Sequence, residues 1–452
     1  MMNFLNFLTI LLFASTTRTE LIAKGDKKVL VLLDNANIKE THSKFFKSLT
    51  DKGFELDFKQ ADAASLTLFK YGERLYNHII IFAPSVDEFG GQVKVEALAN
   101  FVDDGGNLLV AAGDNLGEAI RDLTAEFGFE LDEDTSRVVD HFHYDAKLDD
   151  GWHSTVIADS AALLKAPTIV GKPANAPLLF RGVALLPDKE NPLVLEILRA
   201  PSTAYSHHPT RPISLFPSGI GRNIALIGAL QARNNARVVV SGSLEFFSNQ
   251  FFDATVNPAE GENQGSSSQS GKAGNADLAI ALANWVFKES GVLKVGAVRH
   301  YREGEFSEPA DYTIKDNVVY TIEITEKQGD KWVPYHGEDV QLEFVRIDPF
   351  VRTKLTRKDG KFVAHFVVPD VYGVYQFKVD YDRLGYTHLF STTQVSVRPY
   401  KHTEYERFIG SAFPYYISAL SMIAGTFLFV IVFNSFKDDE PASVPAKLKK
   451  EQ

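Results

Sequence analysis

The pattern of apolar and polar positions changes character several times along the chain. Between residues 28 and 115, continuous apolar runs at Val29–Leu33, Ile79–Ala83 and Leu108–Ala112 predict parallel strands buried on both faces. Helical spacing fills the gaps. Phe45, Phe46 and Leu49 predict a helix opened by a capping box, Asn37 with Glu40 three residues on, and closed at Gly53. Val95, Leu98 and Val102 share one face of another, ended by Gly105-Gly106. Such strand–helix alternation is a string of βαβ units, so the expected fold is an open α/β sheet.

From Arg137 to Asn235 short apolar runs are broken by prolines from Pro167 to Pro217, which predicts a β-rich insertion over 137–235. The α/β signature then returns with a buried-type strand, Arg237–Ser241. An amphipathic helix, Ala276–Lys288, follows with Leu278, Leu282, Trp285 and Val286 on its apolar face. One α/β domain over 25–290 is expected, carrying a flexible Gly/Ser/Gln-rich loop at 257–275. Over 293–400 the period shortens to alternation. Runs at Tyr312–Ile314, Val318–Thr325, Val340–Ile347, Phe362–Val368, Val374–Asp380 and Thr392–Val397, separated by turn residues, predict an immunoglobulin-like β-sandwich. Tyr375, two residues before Phe377, reads as a tyrosine corner with Phe where an antibody domain has its second Cys.

Two longer apolar runs lie at the ends. Phe4–Ala14 is too short to span a bilayer and suits the core of a signal peptide over 1–19, although the stretch before it carries no Lys or Arg; a buried strand or helix is the alternative. No charge occurs from Phe408 to Phe436, which predicts a transmembrane helix over 410–436 with Tyr415 and Tyr416 at an interface. Ser418, Ser421 and Gly425 fall on one face of it. Small residues there suit close approach of another membrane helix, although they are also common in spans generally. A signal followed by one late span predicts a single-pass type I protein with its bulk in the lumen and a cytosolic tail, 437–452. Basic residues flank both ends of the span, so charge alone leaves the orientation open. The tail ends Lys449-Lys450-Glu451-Gln452, with lysines placed as in a dilysine endoplasmic-reticulum retrieval signal; a merely solubilising end is the alternative.

Composition narrows the chemistry. Of 452 residues 45% are hydrophobic and 23% charged, a globular balance that excludes a disordered chain and a polytopic transporter. A net charge of −11 disfavours non-specific nucleic-acid binding. The sequence holds no cysteine, which excludes disulfides, thiolate zinc sites, CxxC redox chemistry and a Cys nucleophile. Any α/β site should lie beyond the carboxyl ends of the strands, where Asp34, Asp87 and Asp114 stand. Those loops hold no GxGxxG, P-loop or GxSxG, and Asp34 fits a turn cap better than a catalytic acid. His141, His143 and His153, like His207-His208, read more simply as polar loop residues than as metal ligands. Asp132-Glu133-Asp134 has DxD spacing, but inside an acidic run. No catalytic, cofactor-binding or metal-ligating constellation stands out.

Long blocks carry a more specific signal: VLVLLDN (29–35), THSKFFKSL (41–49), APTIVGK (166–172), LQARNNARVVVSGSLEFFS (230–248), LEFVRIDPFVRT (342–353) and YGVYQFKVDYDRLGYTHL (372–389). From about Val29 to Phe436 the chain resembles the family of 48 kDa subunits of the oligosaccharyltransferase complex, whose yeast member is the wheat-germ-agglutinin-binding protein subunit. The resemblance implies a type I endoplasmic-reticulum membrane protein, an accessory part of the machine that transfers a glycan from dolichyl diphosphate to Asn in Asn-x-Ser/Thr. It implies that the chemistry resides in a separate multi-spanning catalytic subunit, and that ribophorin I, ribophorin II and the defender-against-cell-death subunit are further partners. It also implies a first domain similar to flavodoxin and class I glutamine amidotransferases, here without the nucleophile. Two other readings remain beside it. One is a luminal enzyme or glycan/acceptor-binding module using the loops after the α/β strands. The other is a membrane-tethered adhesion protein, against which the dilysine tail argues.

Overall fold

The computed structural model describes residues 27–132, 135–172, 176–213, 216–258, 271–329 and 331–437. The expected signal peptide lies outside them, as do Lys449, Lys450 and most of the segments 257–275 and 437–452.

The first half is built on a nine-stranded mixed sheet. Its elements in chain order are β1 (Lys28–Leu33), α1 (Ser43–Thr50), β2 (Glu55–Gln60), β3 (His78–Phe82), α2 (Val95–Asp103), β4 (Asn107–Ala111), α3 (Glu118–Glu126) and β5 (Phe129–Leu131). There follow β6 (Leu185–Pro187), β7 (Val194–Arg199), β8 (Ala225–Gln231), β9 (Arg237–Ser241) and α4 (Asn275–Val286). Strands β2-β1-β3-β4-β9 run parallel in that order; β8, β6 and β5 continue the sheet antiparallel, with β7 also paired to β8. Each central strand is apolar on both faces because helices cover both. Val29, Val31 and Leu33 join Phe45, Phe46, Leu282 and Trp285 in one core, while Leu30 and Leu32 join Leu98, Phe101, Ile120 and Leu123 in the other.

One expectation changes here. The capping box does not form: Asn37 has helical backbone angles (φ −61°, ψ −24°) and makes no side-chain cap bond, whereas an N-cap needs an extended residue. A short turn, Ile38–Thr41, precedes α1 instead, with the break at His42. The segment 137–235, expected as a β-rich insertion in the α/β domain, supplies β6, β7 and β8 to the main sheet. Its ALIGALQ run is buried over the first five residues, so β8 is an interior strand although prolines crowd the chain before it.

The second half contains β10 (Leu293–Arg302), β11 (Asp311–Thr313), β12 (Asn317–Gln328), β13 (Lys331–Pro334), β14 (Gln341–Val345), β15 (Pro349–Lys354), β16 (Thr356–Lys358), β17 (Lys361–Val367), β18 (Gly373–Tyr381) and β19 (Leu389–Arg398). They form two five-stranded sheets, β10-β12-β17-β16 with β13 on β12, and β11-β19-β18-β14-β15. The sheets share one core in which Tyr320 of the first meets Phe377 of the second at 5.2 Å between ring centroids. Tyr375 donates its hydroxyl to the carbonyl of Val371 at 2.8 Å. Helix α5 (Phe413–Ser435) ends the described chain; with the turn before it, Gly410–Ser435 forms an exposed helix that includes an 18-residue stretch of mean hydropathy 2.2. Its 23 residues rise about 35 Å at 1.5 Å each, enough for a hydrocarbon core of about 30 Å.

One buried junction joins the two halves. Arg237, at the head of β9, is 1% exposed, and no carboxylate among the described residues pairs with it. Its guanidinium donates to the carbonyls of Trp285 (2.6 Å), Ser290 (2.8 Å), Gly291 (2.7 Å) and Gly385 (3.3 Å), and lies 5.0 Å from the Trp285 ring centroid. Gly385 belongs to the β18–β19 loop. Gln231 grips the same loop twice, donating to the Tyr386 carbonyl at 2.8 Å and accepting from the Gly385 amide at 2.9 Å. Gly291 and Gly385 have φ of +66° and +83°, and a Cβ on Gly291 would stand 2.2 Å from the Gly385 oxygen, so only glycine fits.

Candidate functional site

The crevice beyond the carboxyl ends of the parallel strands is where an open α/β sheet presents reactive groups. Asp34 follows β1 and Ser85 follows β3, the two neighbouring strands at which the order reverses. The Ser85 hydroxyl donates to the Asp34 carboxylate, linking the two strand-end loops. His42, just before α1, is buried with both ring nitrogens committed. Nε2 donates to the Leu244 carbonyl at 3.1 Å and Nδ1 meets the Thr41 hydroxyl at 2.9 Å. Burial holds this imidazole below its ordinary pKa, so it is neutral. Ser85 is therefore partnered by the Asp34 carboxylate, and the His42 ring nitrogens are taken up elsewhere.

Asp114, after β4, pairs with Arg137 at 2.6 Å, and Arg137 also reaches Asp150 at 2.6 Å. Burial raises the Asp114 carboxyl above its ordinary value, against the pull of Arg137. Arg181 donates to Glu245 at 2.6 Å beside the loop after β9. Asp87 is exposed. The structure thus gathers Asp34 and Asp114 at one end of the sheet, among ion pairs and hydroxyls that tie the loops to each other. Arg137, Arg181 and Glu245 went unnoticed in the sequence because their partners lie 13 to 64 residues away.

The histidines come together only in part. His141 and His153 approach through their Nδ1 atoms at 2.6 Å, and His141 also meets the Tyr205 hydroxyl at 2.9 Å. His143 turns instead to Asp140 (3.1 Å) and Thr203 (3.0 Å). His207 contacts the Arg211 carbonyl, and His208 contacts Thr210. Among the described residues no three His, Asp or Glu side chains converge as a metal would require. Asp132 is buried and takes the Ser206 hydroxyl; Glu133 and Asp134 lie outside the described residues.

On α5 the Ser418 and Ser421 hydroxyls donate to the carbonyls of Tyr415 (3.0 Å) and Ser418 (2.8 Å), one turn back. Ser421 and Gly425 line a shallow hollow with Met422, Thr426 and Phe429. The hydroxyls are satisfied within the helix, so this face can meet an apolar partner without stranding a donor.

Fold and crevice together define a class: a two-part body followed, among the described residues, by one long apolar helix, with an α/β sheet whose strand-end loops are cross-tied. The particular family follows from sequence comparison. The OST48 N-terminal domain matches residues 20–289 and the OST48 middle domain residues 300–437, so the chain belongs to the OST48 family. It is 56% identical to the dolichyl-diphosphooligosaccharide–protein glycosyltransferase 48 kDa subunit of Danio rerio, over 92% of this chain and 93% of that one. Identity to the Drosophila melanogaster subunit of the same name is 55%, over 95% and 96%. Among solved structures, a ThuA-like protein from Parabacteroides merdae overlaps 57% of this chain and 89% of its own at 12% identity, with a TM-score of 0.28, too slight to carry an argument.

Proposed function

We propose that the chain is a non-catalytic subunit of oligosaccharyltransferase, held in the endoplasmic-reticulum membrane by α5 with its folded bulk in the lumen. There it supports transfer of the dolichyl-diphosphate-linked glycan to Asn-x-Ser/Thr sequences. The observation that carries this reading is near-full-length identity with 48 kDa subunits of that enzyme. The parallel order β2-β1-β3-β4-β9 supports a flavodoxin- or class I amidotransferase-like first domain. Amidotransferase chemistry of that class needs a Cys nucleophile, and the sequence has no cysteine. The two facing sheets and the Tyr375–Val371 bond support an immunoglobulin-like second domain. The partners in this reading are the multi-spanning catalytic subunit, ribophorin I and II and the defender-against-cell-death subunit, with Ser418, Ser421 and Gly425 facing a neighbouring membrane helix. Lys449 and Lys450 serve as its retrieval signal.

Depletion with rescue tests the reading. Loss of the chain should leave secretory glycoproteins under-occupied at their sequons and deplete the partner subunits, and re-expression should restore both. Full occupancy after complete depletion would overturn it.

A further inference from the structure

The segment between the sandwich and α5, residues 399–412, is folded rather than slack. Arg398, last in β19, holds the Glu404 carboxylate through both arms of its guanidinium, at 2.8 Å and 3.1 Å, and reaches Asp311 of β11 at 3.3 Å. Glu404 also accepts the Lys401 amide at 2.8 Å, closing a tight turn, and the Tyr400 and Tyr405 rings meet edge-on at 5.5 Å. At the far end the Ile409 amide donates to the Tyr416 hydroxyl of α5 at 3.2 Å, and Phe408 packs 6.2 Å from the Tyr416 ring. A planar two-point pair at one end and a helix contact at the other leave a short stretch, Glu406-Arg407, between the anchored residues.

This strap shows an unusual surface. Tyr405, Phe408 and Ile409 are 59%, 78% and 58% exposed, although the strap has no need of apolar side chains facing water. From Glu404 to Gly410 the chain spans at most about 20 Å even when fully extended. Everything after Glu404 is therefore forced close to wherever the apolar helix enters its membrane. Tyr405, apolar with one polar edge, favours the headgroup layer at that depth, and the wholly apolar Phe408 and Ile409 leave water for its inner boundary.

We propose that Tyr405, Phe408 and Ile409 sit in the headgroup layer of the bilayer on the sandwich side. The Arg398–Glu404 pair then clamps the sandwich at a fixed height and orientation above the lipid. The surface they meet is the lipid itself, because the strap runs without interruption into the span. The inference rests on α5 crossing the membrane, and the test separates the two.

The absence of cysteine allows single-site labelling without background. The full chain carrying Phe408→Cys, Ile423→Cys or Lys358→Cys is labelled with a nitroxide and placed in phosphatidylcholine nanodiscs. Collision rates with oxygen, which enriches in lipid, are compared with those of a water-soluble nickel chelate. The Ile423 label, mid-helix, should be strongly oxygen-favoured, the Phe408 label oxygen-favoured but shallower, and the Lys358 label, at the end of β16, nickel-favoured. A nickel-favoured Phe408 label beside a deep Ile423 label overturns the lipid contact and leaves the span intact; a nickel-favoured Ile423 label overturns both. In native membranes a benzoylphenylalanine at position 408 should cross-link to lipid, and a protein adduct instead would overturn the lipid contact. For the clamp, the distance distribution between labels at 358 and 423 should be narrow and broaden at least twofold with Glu404→Gln. An unchanged width overturns the clamp.

Discussion

Trp285 donates its indole N–H to the carbonyl of Gly385, 2.9 Å away and 100 residues further along the chain. The bond ties the last helix of the α/β sheet to the loop between the last two strands of the sandwich, and Arg237 reinforces it from the head of β9. A charged group with only carbonyl partners is an uncommon joint. Burial pushes the Arg237 guanidinium down to about 9, so it keeps its charge at neutral pH and each carbonyl gains a charge-assisted bond.

Cutting that joint should uncouple the two halves. Trp285→Phe removes one buried hydrogen bond and leaves the Gly385 carbonyl only the longer Arg237 contact at 3.3 Å, a cost of about 1 kcal/mol. Arg237→Met removes four charge-assisted hydrogen bonds, although the carbonyls of Trp285, Gly291 and Gly385 keep the Lys288 amide, the Thr387 amide and the Trp285 indole, a cost of about 3 kcal/mol. Calorimetry of the detergent-solubilised chain should show one transition for the two folded halves in the wild type. It should split in Arg237→Met, with the α/β half melting first. A single unshifted transition in both variants would remove the junction from the account.

Gly291 is the backbone half of the same joint. In Gly291→Ala the left-handed backbone alone costs about 1 kcal/mol, and the added methyl must displace the Gly385 oxygen. The melting temperature should fall further than for alanine at the unhindered Gly304, whose φ is also positive.

Acidification should weaken the α/β half through His42. Its folded pKa lies below the unfolded value of about 6.5, so the unfolded chain binds more protons there as pH falls. Stability contributed by the neutral ring is therefore full above about pH 6.5 and is lost below it, by at most about 1.4 kcal/mol per pH unit for one group. Denaturant melts between pH 7.5 and 5.5 should show this slope, and His42→Gln should flatten it. An identical slope in the variant would assign the effect elsewhere.

Two tyrosines in the sandwich should behave oppositely. Tyr375→Phe loses the bond to Val371 and should cost about 1 kcal/mol. The Tyr320 hydroxyl is buried without a hydrogen-bond partner among the described residues, and burial pushes its pKa up to about 12. Tyr320→Phe should be neutral or mildly stabilising in the same denaturant melts.

Much of the architecture was legible wherever burial was two-sided. The runs at Val29, Ile79, Leu108 and Arg237 mark strands to within a residue because their apolar character is continuous. Polar edge strand β2, Glu55–Gln60, lacks that signal: none of its side chains is fully buried. Strand β8 was hidden by neighbouring prolines, and the capping box failed because spacing does not report Asn37's backbone angles. Asp34 and Asp114 were located by the rule of strand ends, but their partners Ser85 and Arg137 meet them only through the fold. The junction was the least legible part. Arg237 opens a buried strand and Trp285 sits on an amphipathic helix, yet no periodicity connects either to a glycine in a distant loop.

The central claim is that this chain supports glycan transfer without taking part in its chemistry. The direct measurement is the transfer rate of the assembled complex carrying Asp34→Ala, Asp87→Ala and Asp114→Ala together, with a lipid-linked glycan and an acceptor peptide. The account predicts the wild-type kcat, and KM values for both substrates within about twofold, once subunit composition is matched. A fall in kcat of tenfold or more in an intact complex would place chemistry in this chain and contradict it.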